Sequence, residues 1–180
     1  FTLMMYRGLC FLALVAVVFC QHHSAGKWTR QIPTGPYFPT PRYFHAQASA
    51  GNTAVIFGGT NGNVQLRDLF EYHVQQNTVT LLDSGSGPSA RSGACANYWG
   101  PVINQYQNTD GTIDTVIVRN ATYVVFGGFD GTNYLNDMWT YNLGTGVWSQ
   151  VSTSGTPSAR AYHTCATTGL PGDEELAVFG

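Results

Sequence analysis

Residues 55–91 align with residues 124–160 without a gap, and this internal repeat limits the chain to architectures built from like units. The stretches VIFGGTNGNVQLRD (55–68) and VVFGGFDGTNYLND (124–137) agree at seven of fourteen positions: Val, Phe, three Gly, Leu and Asp. Asp68 then falls on Asp137, Tyr72 on Tyr141, and the PSAR ending at Arg91 on the PSAR ending at Arg160, with 23 residues from Asp to Arg in both copies. Fainter echoes flank these units. PRYFH ends at His45 as ARAYH ends at His163, KWTRQI from Lys27 resembles VWSQV from Val147, and LAVFG ends at Gly180.

One unit reads as four short strands, A to D. Strand A follows Arg42, Arg91 or Arg160. Strand B is AVIF, YVVF or LAVF, strand C is LFEYHV or MWTYNL, and strand D is TVTLL, VWSQV or the N-terminal WTRQI. Twenty-one glycines among many Val, Tyr, Thr and Phe suit short strands joined by tight turns, and helical periodicity is absent beyond the N-terminus. Asn61-Gly62 and Asp130-Gly131 occupy matching places in the B–C loop, where glycine supplies a positive φ cheaply. The glycine pair closing strand B has a packing role, since without side chains neighbouring backbone can approach closely. A phosphate-cradling loop is the competing explanation, and recurrence of the pair in a repeat argues against it.

Gly-Gly after an apolar strand, Asp nine residues after the second glycine, an aromatic strand, a Trp and a P-x-x-R together resemble the kelch repeat over about residues 27–180. The resemblance implies an all-β fold, a β-propeller of four-stranded antiparallel blades around a channel. Its parts are a strand D at 27–32, a blade at 42–82, a blade at 91–151 and a partial blade at 160–180. The middle unit departs from the pattern, reading RSGACA where the others carry His45 and His163, and Val79 stands where strand D has a Trp. Arg42 to Phe57 spans 15 residues but Arg91 to Phe126 spans 35, so a hairpin with Asp110-Gly111 at its tip is inserted at about 98–121. Two full blades and parts of two others make an incomplete ring against the ~4 to 8 blades of closed propellers, which marks the chain as a fragment.

Leu9 to Phe19 is an apolar run too short for the ~20 residues of a membrane span, with Arg7 before it and the polar CQHHSAGK after it. It fits a secretory signal covering residues 1–25, with cleavage after Cys20 or Ala25, and leaves a mature chain (26–180) that does not insert in a membrane. A secreted or cell-surface location follows, with which the glycosylation acceptor Asn120-Ala121-Thr122 agrees. Of four cysteines, Cys95 and Cys165 would remain. An even pair in an oxidising compartment suggests a disulfide. However, the two lie on equivalent strands of neighbouring sheets, ~10 Å apart where a bond wants Cα atoms within ~7 Å, so the expectation is two buried free thiols and no disulfide.

Eight Lys plus Arg against ten Asp plus Glu, with no basic cluster, exclude the electrostatic footprint of a nucleic-acid binder. No nucleophile, base and orienting acid stand together, so an enzyme is not expected, and neither a catalytic residue, a metal site nor a cofactor is assigned. His45 and His163, Asp68 and Asp137, and Arg91 and Arg160 recur once per unit, as groups do that hold loops by charge-assisted hydrogen bonds. Trp28, Trp139 and Trp148 are assigned to packing between blades, and Trp99 falls in the insertion. Function then rests on loops. In an up-and-down sheet the B–C and D–A loops share one face, and on it Asn61, Asn63, Arg67, Asp130, Asn133 and Tyr134 are the candidate contacts for a protein or carbohydrate. The resemblance implies a secreted or cell-surface binding module. Two alternatives are part of an enzyme similar to galactose oxidase, whose tyrosine, histidine and cysteine copper ligands find no match in this chain, and a structural propeller segment of a multidomain extracellular protein resembling attractin-type chains.

Overall fold

A computed structural model of the chain describes residues 19–21, 27–108, 110–169 and 174–180. All regular structure among them is strand. β1 (Phe19–Gln21) and β2 (Lys27–Thr29) form a short antiparallel pair, Cys20 opposite Trp28. The strand expected at 27–32 is thus three residues long and partnered from inside the stretch read as a leader. The rest of that leader, and the Trp28 side chain, lie outside the described residues.

The first blade is a four-stranded antiparallel sheet in chain order: β3 (Ala46–Ala50), β4 (Thr53–Phe57), β5 (Leu69–His73) and β6 (Thr78–Asp83). In the second, β7 (Cys95–Trp99) is followed by a separate hairpin, β8 (Val102–Gln107) and β9 (Ile113–Arg119). The blade resumes with β10 (Thr122–Phe129), β11 (Tyr134–Asn142) and β12 (Val147–Val151), ordered β7-β10-β11-β12. β13 (Thr164–Thr168) and β14 (Glu175–Phe179) pair as the first half of a third. The repeat therefore folds as one blade plan used again and again, and β7 lies between β3 and β13, so the innermost strands are neighbours. The inserted hairpin turns at Gly111 (φ 85°), with Asn108 N bonded to Thr112 O at 2.8 Å. Trp99, expected in the insertion, instead closes β7 opposite Thr122.

Blades hold together through alternating side chains. Ala46, Val55, Phe57 and Leu69 of the first meet Tyr123, Val125, Tyr141 and Trp148 of the second in one buried cluster, while Phe70, Tyr72 and Val79 fill the opposite side of the first blade. β10 is buried on both sides because the second blade stands between the first and the β13–β14 pair, so it reads as a continuous apolar run. Trp148 is the anchor, 5.3 Å from Phe57 and 5.1 Å from Tyr141. A Cβ at Gly87 would stand 2.4 Å from its ring, hence the glycine in the loop beneath it. Two tyrosines also bond across the seam, Tyr123 Oη to Ala46 O at 3.0 Å and Tyr141 Oη to Leu82 O at 3.3 Å. The outer edge of the first blade is covered by the segment before it. Thr34 N donates to Asn77 O, Val79 N to Thr34 O, both at 2.9 Å, and so an open strand edge is closed.

The glycine pairs do what close packing requires, and more. Gly58 and Gly127 have φ of 61° and 63°, and a Cβ on either would fall 2.6 and 2.8 Å from the carbonyl oxygens of Arg91 and Arg160 in the next blade. The second glycine of each pair donates to that same carbonyl, at 2.9 and 2.8 Å.

One expectation is overturned. Cys95 and Cys165, expected as free thiols, form a disulfide, their Cα atoms 5.8 Å apart. The ~10 Å spacing applies to sheets stacked face to face. Blades that radiate from an axis converge, and their innermost strands, here β7 and β13, come within the ~7 Å that a bridge needs.

Candidate binding face

The loop face is organised by buried arginines at the start of each unit. Arg42 and Arg91 are 5% and 1% exposed. Arg91 Nη1 donates to Asp137 Oδ1 (2.6 Å) and Gly127 O (3.0 Å), Nη2 to Asp137 Oδ2 (2.9 Å) and Ser89 Oγ (3.0 Å), and Nε to Ser89 O (3.1 Å). Arg42 repeats the pattern with Asp68 at 2.5 and 2.9 Å, Gly58 O at 3.0 Å and Thr40 O at 3.1 Å. Arg160 bonds Ser158 Oγ at 2.9 Å and the carbonyl of Gly180, the counterpart of Gly58 and Gly127. Each arginine thus ties a D–A loop to the end of strand B and, where present, to the carboxylate opening strand C. Burial opposes ionisation of Asp137, but hydrogen bonding and charge from Arg91, with the Trp139 indole N–H at 2.7 Å, outweigh it and hold its pKa below the usual carboxylate range. His45 and His163 are pushed below the ordinary histidine value by burial first and then by the Arg42 and Arg160 charges, which favours neutral rings.

Several residues expected to meet a ligand are occupied within the loops. Asn61 Oδ1 accepts from Asn63 N and Val64 N, both at 3.0 Å, and its counterpart Asp130 Oδ1 accepts from Thr132 N at 2.8 Å and Asn133 N at 2.7 Å. These are Asx turns, and the backbone donors, Asn133 first, depress the Asp130 pKa. Arg67 is turned onto the D–A loop, donating to the carbonyls of Gly85 and Gly87. Asn63, Asn133 and Tyr134 stay exposed, Tyr134 with its ring centroid 5.4 Å from Phe129. The two B–C loops lie side by side, since a Cβ at Gly131 would touch the Gln65 side chain at 3.7 Å.

Sequence reasoning missed the aromatic cluster nearest the axis. Phe44, Gly93 and Tyr162 share one repeat position, two residues after the arginine, and all three have left-handed backbone, φ 55°, 64° and 63°. Backbone bonds fix it, Gly93 N to Phe44 O at 2.8 Å and Tyr162 N to Gly93 O at 2.7 Å, linking three successive units. For a bulky residue this conformation costs on the order of 1–2 kcal/mol, which glycine avoids. Phe44 and Tyr162 nonetheless leave more than half of their surface in solvent, and Tyr43 nearly half. The Phe44 ring stands edge-on to Tyr43 and Tyr162, centroids 5.0 Å apart in each pair. Gly93 was the available signal: a glycine in one copy marks a position where an aromatic in the others is strained and outward.

Away from this face, Trp99, Phe126, Met138 and Val178 line a largely apolar cavity of about 330 Å³ between the second blade and β14. Among the described residues, no three His, Cys, Asp or Glu side chains are grouped to hold a metal ion.

Comparison with known proteins agrees with this architecture. The chain is 33% identical over 137 residues to the leucine-zipper-like transcriptional regulator 1 homolog of Drosophila melanogaster, covering 71% of this chain and 12% of that protein. It is 29% identical over 157 residues to bovine Kelch domain-containing protein 2 (85% and 32%) and 30% identical over 157 residues to human Host cell factor 2 (79% and 17%). The chain therefore spans about a third or less of the length of these relatives. The family model described as Attractin/LZTR1 beta-propeller matches residues 14–180, and with kelch-type blades repeated along its length the chain belongs to that family.

Proposed function

We propose that the chain is a non-enzymatic binding module of a secreted or cell-surface protein, and that it recognises a protein partner through its B–C and D–A loops. One observation carries this reading. The repeated ionic groups are turned inward to hold the loops, while Asn63, Asn133, Tyr134 and the rings beside them face outward. Such a surface offers hydrogen bonds and aromatic area on a rigid support, the mix of an interface hot spot. Secretion is supported by the Cys95–Cys165 bond, by the apolar run at 9–19 and by the acceptor at Asn120, whose carbonyl takes the Thr122 hydroxyl at 3.0 Å at the foot of the hairpin.

The test is to express the chain through a secretory pathway and probe arrays of extracellular proteins and of glycans. Hits are then re-measured with the N63A/N133A/Y134A variant. Affinity for a protein partner is expected to fall about tenfold or more. Unchanged binding to every partner would remove the loop face from the account, and hits confined to glycans would assign the carbohydrate alternative. Mass loss on enzymatic deglycosylation, absent in N120Q, reports the modification.

A further inference from the structure

We propose that a small cavity in the seam between the first two blades, at the end opposite the loop face, takes an alkylammonium group on the Glu71 carboxylate, the group carried by a lysine side chain or a free aliphatic amine. The proposal does not rest on the loop-face reading.

Three observations carry it. The first is position. Glu71 lies opposite Val55, and Val55 opposite Ala48, across β5, β4 and β3. Val55 and Ala48 belong to the apolar cluster between the blades, so the Glu71 carboxylate faces the second blade, its side chain only 19% exposed. A carboxylate in such a place costs free energy unless a cation meets it. Among the described residues no Lys or Arg does so, and the group beside it is His73, whose Nε2 stands 2.9 Å from Oε2. The second is singularity. Asp68 and the buried arginines recur from blade to blade, but the counterpart of Glu71 is Thr140 and that of His73 is Asn142. The blade plan is complete without this carboxylate, which leaves it available to a ligand.

The third is the cavity itself, about 170 Å³, with Glu71 in one wall and Tyr98 and Leu143 of the second blade in the other. Thr53, the first residue of β4, and Leu143, just past β11, place it at the strand ends away from the loops that join β4 to β5 and β10 to β11. Whole drug-sized ligands occupy ~300–1,000 Å³, so this space suits a single chemical group rather than a nucleotide or an oligosaccharide. Ala48, Val55 and Leu143 give apolar wall for an alkyl stem, the part of a lysine that lies along such surface. Among the described residues the hydroxyls of Tyr98 and Thr53 form no hydrogen bond. With Glu71 they offer three acceptors to the three N–H donors of an ammonium. A guanidinium fork needs both carboxylate oxygens, and Oε2 is already faced by His73. A calcium ion takes ~6–8 oxygen ligands, more than this wall supplies.

The experiment uses the whole chain. By NMR at constant ionic strength it is titrated with n-butylammonium, with the acetylated methylamides of lysine and of arginine, and with uncharged n-butanol. Wild type is compared with Glu71→Gln, with Glu71→Thr, which installs the residue of the second blade, and with Tyr98→Phe, each first shown folded by thermal unfolding. Saturable binding of an amine is expected, about tenfold or more weaker in both Glu71 variants and about threefold to fivefold weaker in Tyr98→Phe, with none for butanol. N63A/N133A/Y134A should bind the amines as wild type does, which separates this site from the loop face. Tighter binding of the lysine amide assigns the site to a partner's side chain, and tighter binding of n-butylammonium to a free amine; both uphold it. The proposal is overturned if neither amine saturates wild type, if both Glu71 variants bind unchanged, if butanol binds as well, or if the arginine amide matches the lysine amide.

Discussion

Removing the Cys95–Cys165 bond gives the sharpest test of the radial arrangement. The two residues are 70 apart in sequence, so the bond closes a long loop in the unfolded chain. The chain-entropy relation for a loop of that size gives about 4 kcal/mol of stabilisation. For a domain of this length, each kcal/mol corresponds to roughly 2–4 °C in Tm, so C95A/C165A is expected to melt roughly 8–16 °C below wild type. Reduction of wild type should lower the midpoint by a similar amount, and any remaining difference from the double variant measures the packing of the sulfur atoms. Non-reducing digestion and mass mapping should recover the two peptides linked. The reasoning fails if both cysteines alkylate without reductant, or if the oxidised and reduced proteins unfold at the same midpoint. In either case β7 and β13 would not converge as described.

Arg91→Ala should cost about 3–5 kcal/mol in urea unfolding, because it strands the Asp137 carboxylate and the Gly127 carbonyl. R91A/D137A should cost less than the sum of its single changes, whereas strict additivity would deny the pairing. Gly58→Ala combines a left-handed backbone with a Cβ 2.6 Å from the Arg91 carbonyl, and should destabilise well beyond the ~1 kcal/mol of Gly51→Ala, where φ is 57° but nothing lies within 4 Å. Similar losses in the two would refute the close approach between blades. Acid should weaken the fold in two stages. His45 and His163 have folded pKa values below the 6.5 of the free side chain, so the unfolded chain takes up protons first and stability falls as pH drops below about 6.5. Asp137, held below 3.8, adds stability above that value that is lost as pH falls through its folded pKa. His163→Gln should flatten the upper stage, and an unchanged profile would rule out its burial as the cause.

The blade plan was legible because it is written more than once. The alignment of 55–91 on 124–160 places four strands, the glycine pairs and the inserted hairpin, and the sheet orders agree. What failed was distance and orientation. Strand equivalence located Cys95 and Cys165 correctly, but a single spacing between sheets cannot describe blades that narrow toward an axis. The pairing of Arg42 with Asp68 and of Arg91 with Asp137 runs forward along the chain, across the insertion in the second case, where sequence spacing had drawn attention to the regular interval from Asp to the next Arg. At the candidate site, composition identified Asn61, Arg67 and Asp130 as polar loop residues without revealing that the loops use them for their own turns and ties. Nothing in the residue types of Phe44 and Tyr162 themselves shows their left-handed backbone or their exposure; only the glycine at the matching position, Gly93, hints at it.

Placing the covalent link between β7 and β13, at the narrow end of the seam, makes it a pivot. Thermal opening between these two blades must start at the circumference and swing about that point, as the leaves of a fan turn on the rivet. Amide exchange should accordingly be fastest at the rim and slowest at the hub, and reduction should free the hub without altering the order of events at the rim.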